Sequence, residues 1–139
     1  MLERRREYVG FLVVGGIGFL VDAGILSWLV MVLDWGPYGA RLVSFGGAVS
    51  VTWYLNRTYT FQQQRVLPRT SEYARYFTVQ GMGALINLAV FAAATLTFPQ
   101  LGAYPVLPLA LASGVAMVFN FLGAKFFAFA PQKPFSPKV

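Results

Sequence analysis

Charged residues cut this sequence into apolar blocks long enough to cross a bilayer. Tyr8 to Leu33 carries one charge, Asp22, and Trp35 to Asn56 carries one, Arg41, with the turn-like Asp34-Trp35-Gly36-Pro37 between the two blocks. The 49 positions between Arg75 and Lys125 carry none. That is more than twice the roughly 20 residues needed to cross the hydrocarbon core once, and Pro99-Gln100-Leu101-Gly102 breaks the run near its middle. The pattern predicts an all-α membrane protein with four transmembrane helices, at about residues 8–33, 38–57, 74–98 and 104–127, in one domain covering 1–130. Arg4-Arg5-Arg6 ahead of the first block is also how a secretory signal begins. The length of the block, and the lack of a small-x-small site followed by a polar segment, favour a retained span.

Composition agrees. The chain of 139 residues is 57% hydrophobic and 12% charged, the balance of a bilayer protein rather than a soluble one. It has no Cys and no His, which removes thiol chemistry, structural zinc and histidine acid-base catalysis. It also lacks a Gly-rich Lys-Ser/Thr loop, so P-loop ATP hydrolysis is excluded. No enzyme activity, metal, cofactor or nucleic-acid partner is expected.

Charge orients the spans. Arg4, Arg5, Arg6, Arg57, Arg65, Arg69, Arg75, Lys125, Lys133 and Lys138 fall on one side of the predicted helices, and only Arg41 on the other. The positive-inside rule then places both termini and the 58–75 loop in the cytoplasm and the two short hairpin turns outside, in a cell inner membrane. Tyr8, Trp35, Tyr38, Tyr59, Tyr76 and Tyr104 lie near span ends, where interfacial aromatics belong. Residues 131–139, with three prolines and two lysines, read as a disordered basic tail near anionic lipid.

The chain also resembles itself. Shifted by 65 residues, Val14, Gly16, Gly18 and Leu20 meet Val79, Gly81, Gly83 and Leu85, and Asp22 meets Asn87. Shifted by 68, Gly46, Ala48, Arg57, Tyr59 and Phe61 meet Gly114, Ala116, Lys125, Phe127 and Phe129. Two parallel two-helix repeats follow, with a substrate groove expected at their interface. Small residues should make the helix seams, because lipid offers no hydrophobic drive and packing needs close backbones. Gly46-x-x-x-Ser50, Ala110-x-x-x-Gly114 and Ala112-x-x-x-Ala116 are the candidates.

Polar residues at membrane depth carry the candidate chemistry. Asp22 lies near mid-membrane, where an ionised carboxylate costs roughly 2.5–3.5 kcal/mol unless it is paired or solvated. Arg41 is within reach, so the two form either an ion pair that locks the first hairpin or a polar path. Asn87, Asn120 and Gln80 either bond between helices or offer the paired donors and acceptors that sugar hydroxyls need. Arg57 and Lys125 serve as snorkelling anchors or, placed alike in both repeats, as phosphate ligands. In the second case Tyr59, Phe61, Phe127 and Phe129 face the lipid chains.

These residues resemble the GtrA-like family of small four-helix membrane proteins over about 8–129. The resemblance rests on "FLVVGGIGFLVDAGI", "LNRTYTF", "YFTVQGMGALIN" and the ending "AKFFAF". It implies a role in moving polyprenyl-phosphate-linked sugars from the inner to the outer leaflet for surface polysaccharide synthesis, beside a membrane glycosyltransferase. By resemblance Asn56, Arg57 and Phe61 carry the first motif. Its second copy departs from the pattern, with Ala124 and Lys125 in place of Asn and Arg, so a joint amide and guanidinium role belongs to the first copy alone. The alternative is a non-transporting scaffold for the glycosyltransferase. A proton antiporter of the small multidrug type fits less well, since ten basic residues against one is a strong bias. Four short helices bury little, so a homo-oligomer, most simply a dimer, is expected.

Overall fold

A computed structural model describes residues 2–62, 68–100 and 106–130, with the side chains of 2–4, 37, 38 and 106 left aside. The 131–139 tail, Arg65 and the turn at 101–105 lie outside the described residues. Among the described residues there are four α-helices: α1 Leu2–Met31, α2 Pro37–Leu55, α3 Arg69–Thr97 and α4 Val106–Gly123. A π-helical turn continues α2 over Asn56–Thr60, and another continues α4 over Ala124–Ala128. The described residues contain no strand.

α1 and α3 begin five or six residues earlier than the hydropathy blocks, at Leu2 and Arg69 instead of about 8 and 74. α1 and α3 run 30 and 29 residues, about 45 Å each and longer than the ~30 Å hydrocarbon core. Their first turns therefore carry Arg5, Arg6 and Glu7, and Arg69, Glu72 and Arg75. Arg69, expected in a cytoplasmic loop, lies instead on α3, and Arg75, expected at the edge of the third span, lies within it. Three described helical stretches are long and apolar enough to cross a membrane: Arg5–Met31, Arg69–Thr97 and Leu107–Ala128. α2, expected as the second of four spans, is not among them. Arg41, three glycines and four Ser, Thr or Trp residues dilute its apolar content.

The chain divides into two compact units, Met1–Val66 and Leu67–Val139. Each holds two helices packed as a hairpin. In the first, the chain turns after α1 through Asp34, which adopts φ 55°, a left-handed conformation open to Asp through local hydrogen bonding. Close packing then depends on glycine. A methyl on Gly18 would overlap Thr52 Cγ2, and one on Gly47 would come within 2.7 Å of Ile25 Cδ1. In the second unit, a methyl on Gly83 would overlap the Asn120 amide, and one on Gly123 would lie 2.6 Å from Val79 Cγ1. Gly18 and Thr52 relate to Gly83 and Asn120 by the offsets 65 and 68, so both hairpins close at the same register.

Two of the expected small-residue seams fail within the hairpins. Open space surrounds the Cβ direction of Gly46 and of Gly114, and Ser50 spends its hydroxyl on the Gly46 carbonyl at 2.8 Å. Ala112 and Ala116 are buried as expected. The exterior is apolar: Phe19, Leu20, Leu42, Leu88 and Leu96 are all well exposed, as lipid-facing side chains are.

Candidate functional site

The π-turns follow from the spacing of inward positions. In α4 and its continuation, Ala112, Ala116, Ala124 and Ala128 are buried at steps of four or eight. An α-helix rotates such a ladder by roughly 40° per step of four, and a π-turn of about 4.4 residues rotates it back. Asn56 and Thr60 keep the same spacing at the end of α2 and are buried too. The next N–H in each case donates five residues back: Phe61 to the Asn56 carbonyl and Phe129 to the Ala124 carbonyl, both at 2.8 Å.

That register turns Phe61 and Phe129 inward. Each is 1% exposed. Phe61 packs on Phe11 with ring centroids 6.4 Å apart, and Phe129 on Tyr76 at 5.7 Å, pairs again related by 65 and 68. Both were expected to face lipid and instead plug their own hairpins. Tyr59 and Phe127, 60% and 48% exposed, do face outward.

The cations sit on the same turns. Arg57 and Lys125 are half-buried. Lys125 Nζ lies 5.9 Å from the Phe121 ring centroid and 5.7 Å from that of Phe126, in range for cation–π attraction. Asn56, beside Arg57, is almost fully buried where its counterpart Ala124 has no polar group.

Farther along each hairpin comes a polar rung, then a second. Thr52 and Asn120 precede the cations by five residues, about 7.5 Å along the helix, and face Gly18 and Gly83. One turn on from those glycines stand Asp22 and Asn87. Arg41 Nη1 donates to Asp22 Oδ2 in an ion pair, with Arg41 54% and Asp22 17% exposed. Asn87 Nδ2 donates to Ser113 Oγ at 3.1 Å, a partner that sequence reading did not name. The rungs are not fully satisfied. Asp22 Oδ1 and Asn120 Oδ1 are buried acceptors with no donor among the described residues, and such groups call for an explanation. Gln80 is half-buried in α3 and joins none of these bonds. Replacing Asn87 with Ala is expected to lower the stability of the second hairpin by only about 0.6 kcal/mol, the usual worth of a hydrogen bond between membrane helices. Thermal unfolding in detergent checks this, and a loss above ~2 kcal/mol would make the bond a principal clasp.

Sequence reading also overlooked the acids. Glu7-Tyr8 and Glu72-Tyr73 stand 65 residues apart, with Glu7 seven positions upstream of Val14, the first match noted above. Glu7 is half-buried and Glu72 fully buried in the opening turns of α1 and α3.

A family model described as the GtrA/DPMS transmembrane domain matches residues 10–129. No curated protein matches the chain.

Proposed function

Because the chain belongs to the GtrA/DPMS transmembrane-domain family, we propose that this membrane protein handles polyprenyl-phosphate-linked sugar, and that it does so by easing the lipid's passage from the inner to the outer leaflet. One observation carries the reading. Each hairpin sets a half-buried cation on an aromatic-lined π-turn and, along the same pair of helices, two polar rungs with acceptors left over. A sugar phosphate crossing hydrocarbon loses several kcal/mol for every polar group left unpaired. Rungs that replace its water lower that barrier, while the polyprenyl chain stays in lipid.

In this reading Arg57, with Asn56 beside it, is the phosphate ligand of the first hairpin and Lys125 that of the second, both at the cytoplasmic face on the charge rule. Asp22, Arg41 and Asn87 serve the sugar by exchanging their present bonds for sugar hydroxyls, and Asn120 and Gln80 offer it further amide groups. The protein performs no covalent step. A membrane glycosyltransferase and a second copy of the chain are its expected partners, in the cell inner membrane. Purified protein in liposomes of its own lipid should speed the appearance of a labelled lipid-linked sugar on the far leaflet. An unchanged rate would sink transport. If polysaccharide output then survived loss of Arg57 but not charge reversal at Arg69, exposed at the start of α3, a scaffold would be the better description.

A further inference from the structure

One cation of the second hairpin has no part in that scheme. Arg75 is half-buried on α3. Its Nη1 donates to the Phe127 carbonyl at 3.4 Å, and its guanidinium carbon lies 5.1 Å from the Phe127 ring centroid. Lys125, two residues earlier on the same π-turn, rests on Phe121 and Phe126. A single turn thus holds two positive groups against its aromatic rings. The carbonyl bond engages one of the five N–H donors of Arg75, and the rest of the planar fork suits phosphate oxygens.

The first hairpin has no equivalent. The 65-residue offset puts Gly10 in the register of Arg75, and even a methyl there would sit 3.1 Å from Thr60 Oγ1. The neighbouring carboxylates do not make the difference, because Glu72 and Glu7 correspond by the same offset. The hairpins therefore differ in anchored charge at their π-turns: Arg57 in one, Arg75 and Lys125 in the other.

A sugar-linked polyprenyl phosphate is a phosphodiester with one negative charge. Glycosyl transfer breaks the bond from the anomeric carbon to the phosphate oxygen and joins the sugar to an acceptor hydroxyl, whose proton is released. The carrier remains as a phosphomonoester, with a second pKa near 6 and a charge approaching −2 at neutral pH. We infer that Arg75 is a specificity-determining residue which, with Lys125, binds the phosphomonoester headgroup of the spent polyprenyl carrier. The inference rests on the reading of the ligand as a polyprenyl-phosphate-linked sugar and adds the form in which that lipid returns.

Equilibrium binding to the full chain in nanodiscs tests it, with three probes: polyprenyl monophosphate, a polyprenyl-phosphate sugar and inorganic phosphate. Arg75→Gln should weaken the monoester about 10- to 100-fold, the worth of one charge-assisted bond, and leave the diester within about twofold. Lys125→Gln should weaken both lipids. Equal losses for both lipids in Arg75→Gln, or no loss for the monoester, would overturn the assignment. Where Arg75→Gln does not fold, Arg75→Lys decides: it should weaken the monoester more than the diester, and an equal effect overturns the proposal. Inorganic phosphate displacing the monoester at concentrations like those of the lipid itself would reassign the site to free phosphate and overturn the lipid assignment. Failure of the wild type to move the sugar lipid in liposomes would strike the proposed function instead, and is read separately from the Arg75 result.

Discussion

Purified in detergent with its co-extracted lipid, Arg57→Ala is expected to carry about 10- to 100-fold less polyprenyl-phosphate lipid than the wild type, measured by mass spectrometry. A hydrogen bond to a charged group contributes about 1.5–3 kcal/mol, and each 1.4 kcal/mol is tenfold in binding. Arg57 is held half-buried on a π-turn next to the buried Asn56, so little of its contact is given up to ordering the side chain. Arg57→Lys keeps the charge and loses the planar fork, and should fall between the two. The control is Arg69→Ala. That arginine is exposed at the start of α3, and its loss should alter bound lipid by less than about twofold. Equal losses in both variants would mean that overall positive charge gathers the lipid, and the π-turn would lose its claim as a site.

The largest structural effect is expected two residues away from a harmless one. Gly83→Leu drives a side chain into the Asn120 amide, whereas nothing lies within 4 Å of the Cβ position at Gly81. Overpacking of this kind costs about 1–3 kcal/mol and sometimes more, while a change that touches nothing stays within about 0.5 kcal/mol. Gly83→Leu should therefore lower the midpoint of thermal unfolding in detergent, and Gly81→Leu should leave it in place. Asn120→Ala should restore part of the stability that the smaller change Gly83→Ala removes, since it deletes the atoms being struck. Without such rescue, the contact at this register would lie elsewhere than with Asn120.

The sequence made the helices legible because charge is sparse and its positions fall at the ends of apolar blocks. It also carried two internal offsets, 65 and 68, and the recurring contacts Gly18 with Thr52 and Gly83 with Asn120 follow them. What it hid was rotational phase. Tyr59 and Phe61 were both read as facing lipid, although residues two apart on a helix point to nearly opposite sides; the inward member is Phe61. Gly46 and Gly114 matched by offset, yet the small residues that let helices approach are Gly18, Gly47, Gly83 and Gly123. A glycine in a membrane helix does not announce which side it faces. The π-turns left no mark of their own, with neither Pro nor Gly inside them. Glu7 and Glu72 were within reach, and extending the 65-residue match seven positions upstream of Val14 would have found them. Arg75 stayed hidden because its counterpart is Gly10, and a comparison of repeats reveals only what they share.

The makeup of α2 bears on how the protein enters its membrane. Among the described residues it is not one of the helices apolar enough to cross on its own, and Arg41 near its start adds a charge that has to be paired or to snorkel to the interface. α1 carries the matching carboxylate, Asp22, and the cleft at Gly18 that receives Thr52. A neighbour that supplies both lowers the cost of placing α2 in the bilayer, which favours entry of the two helices together as a hairpin over a second independent insertion. The ion pair then matters most during biogenesis, and a ribosome paused before α2 emerges would leave Asp22 in lipid without its cation.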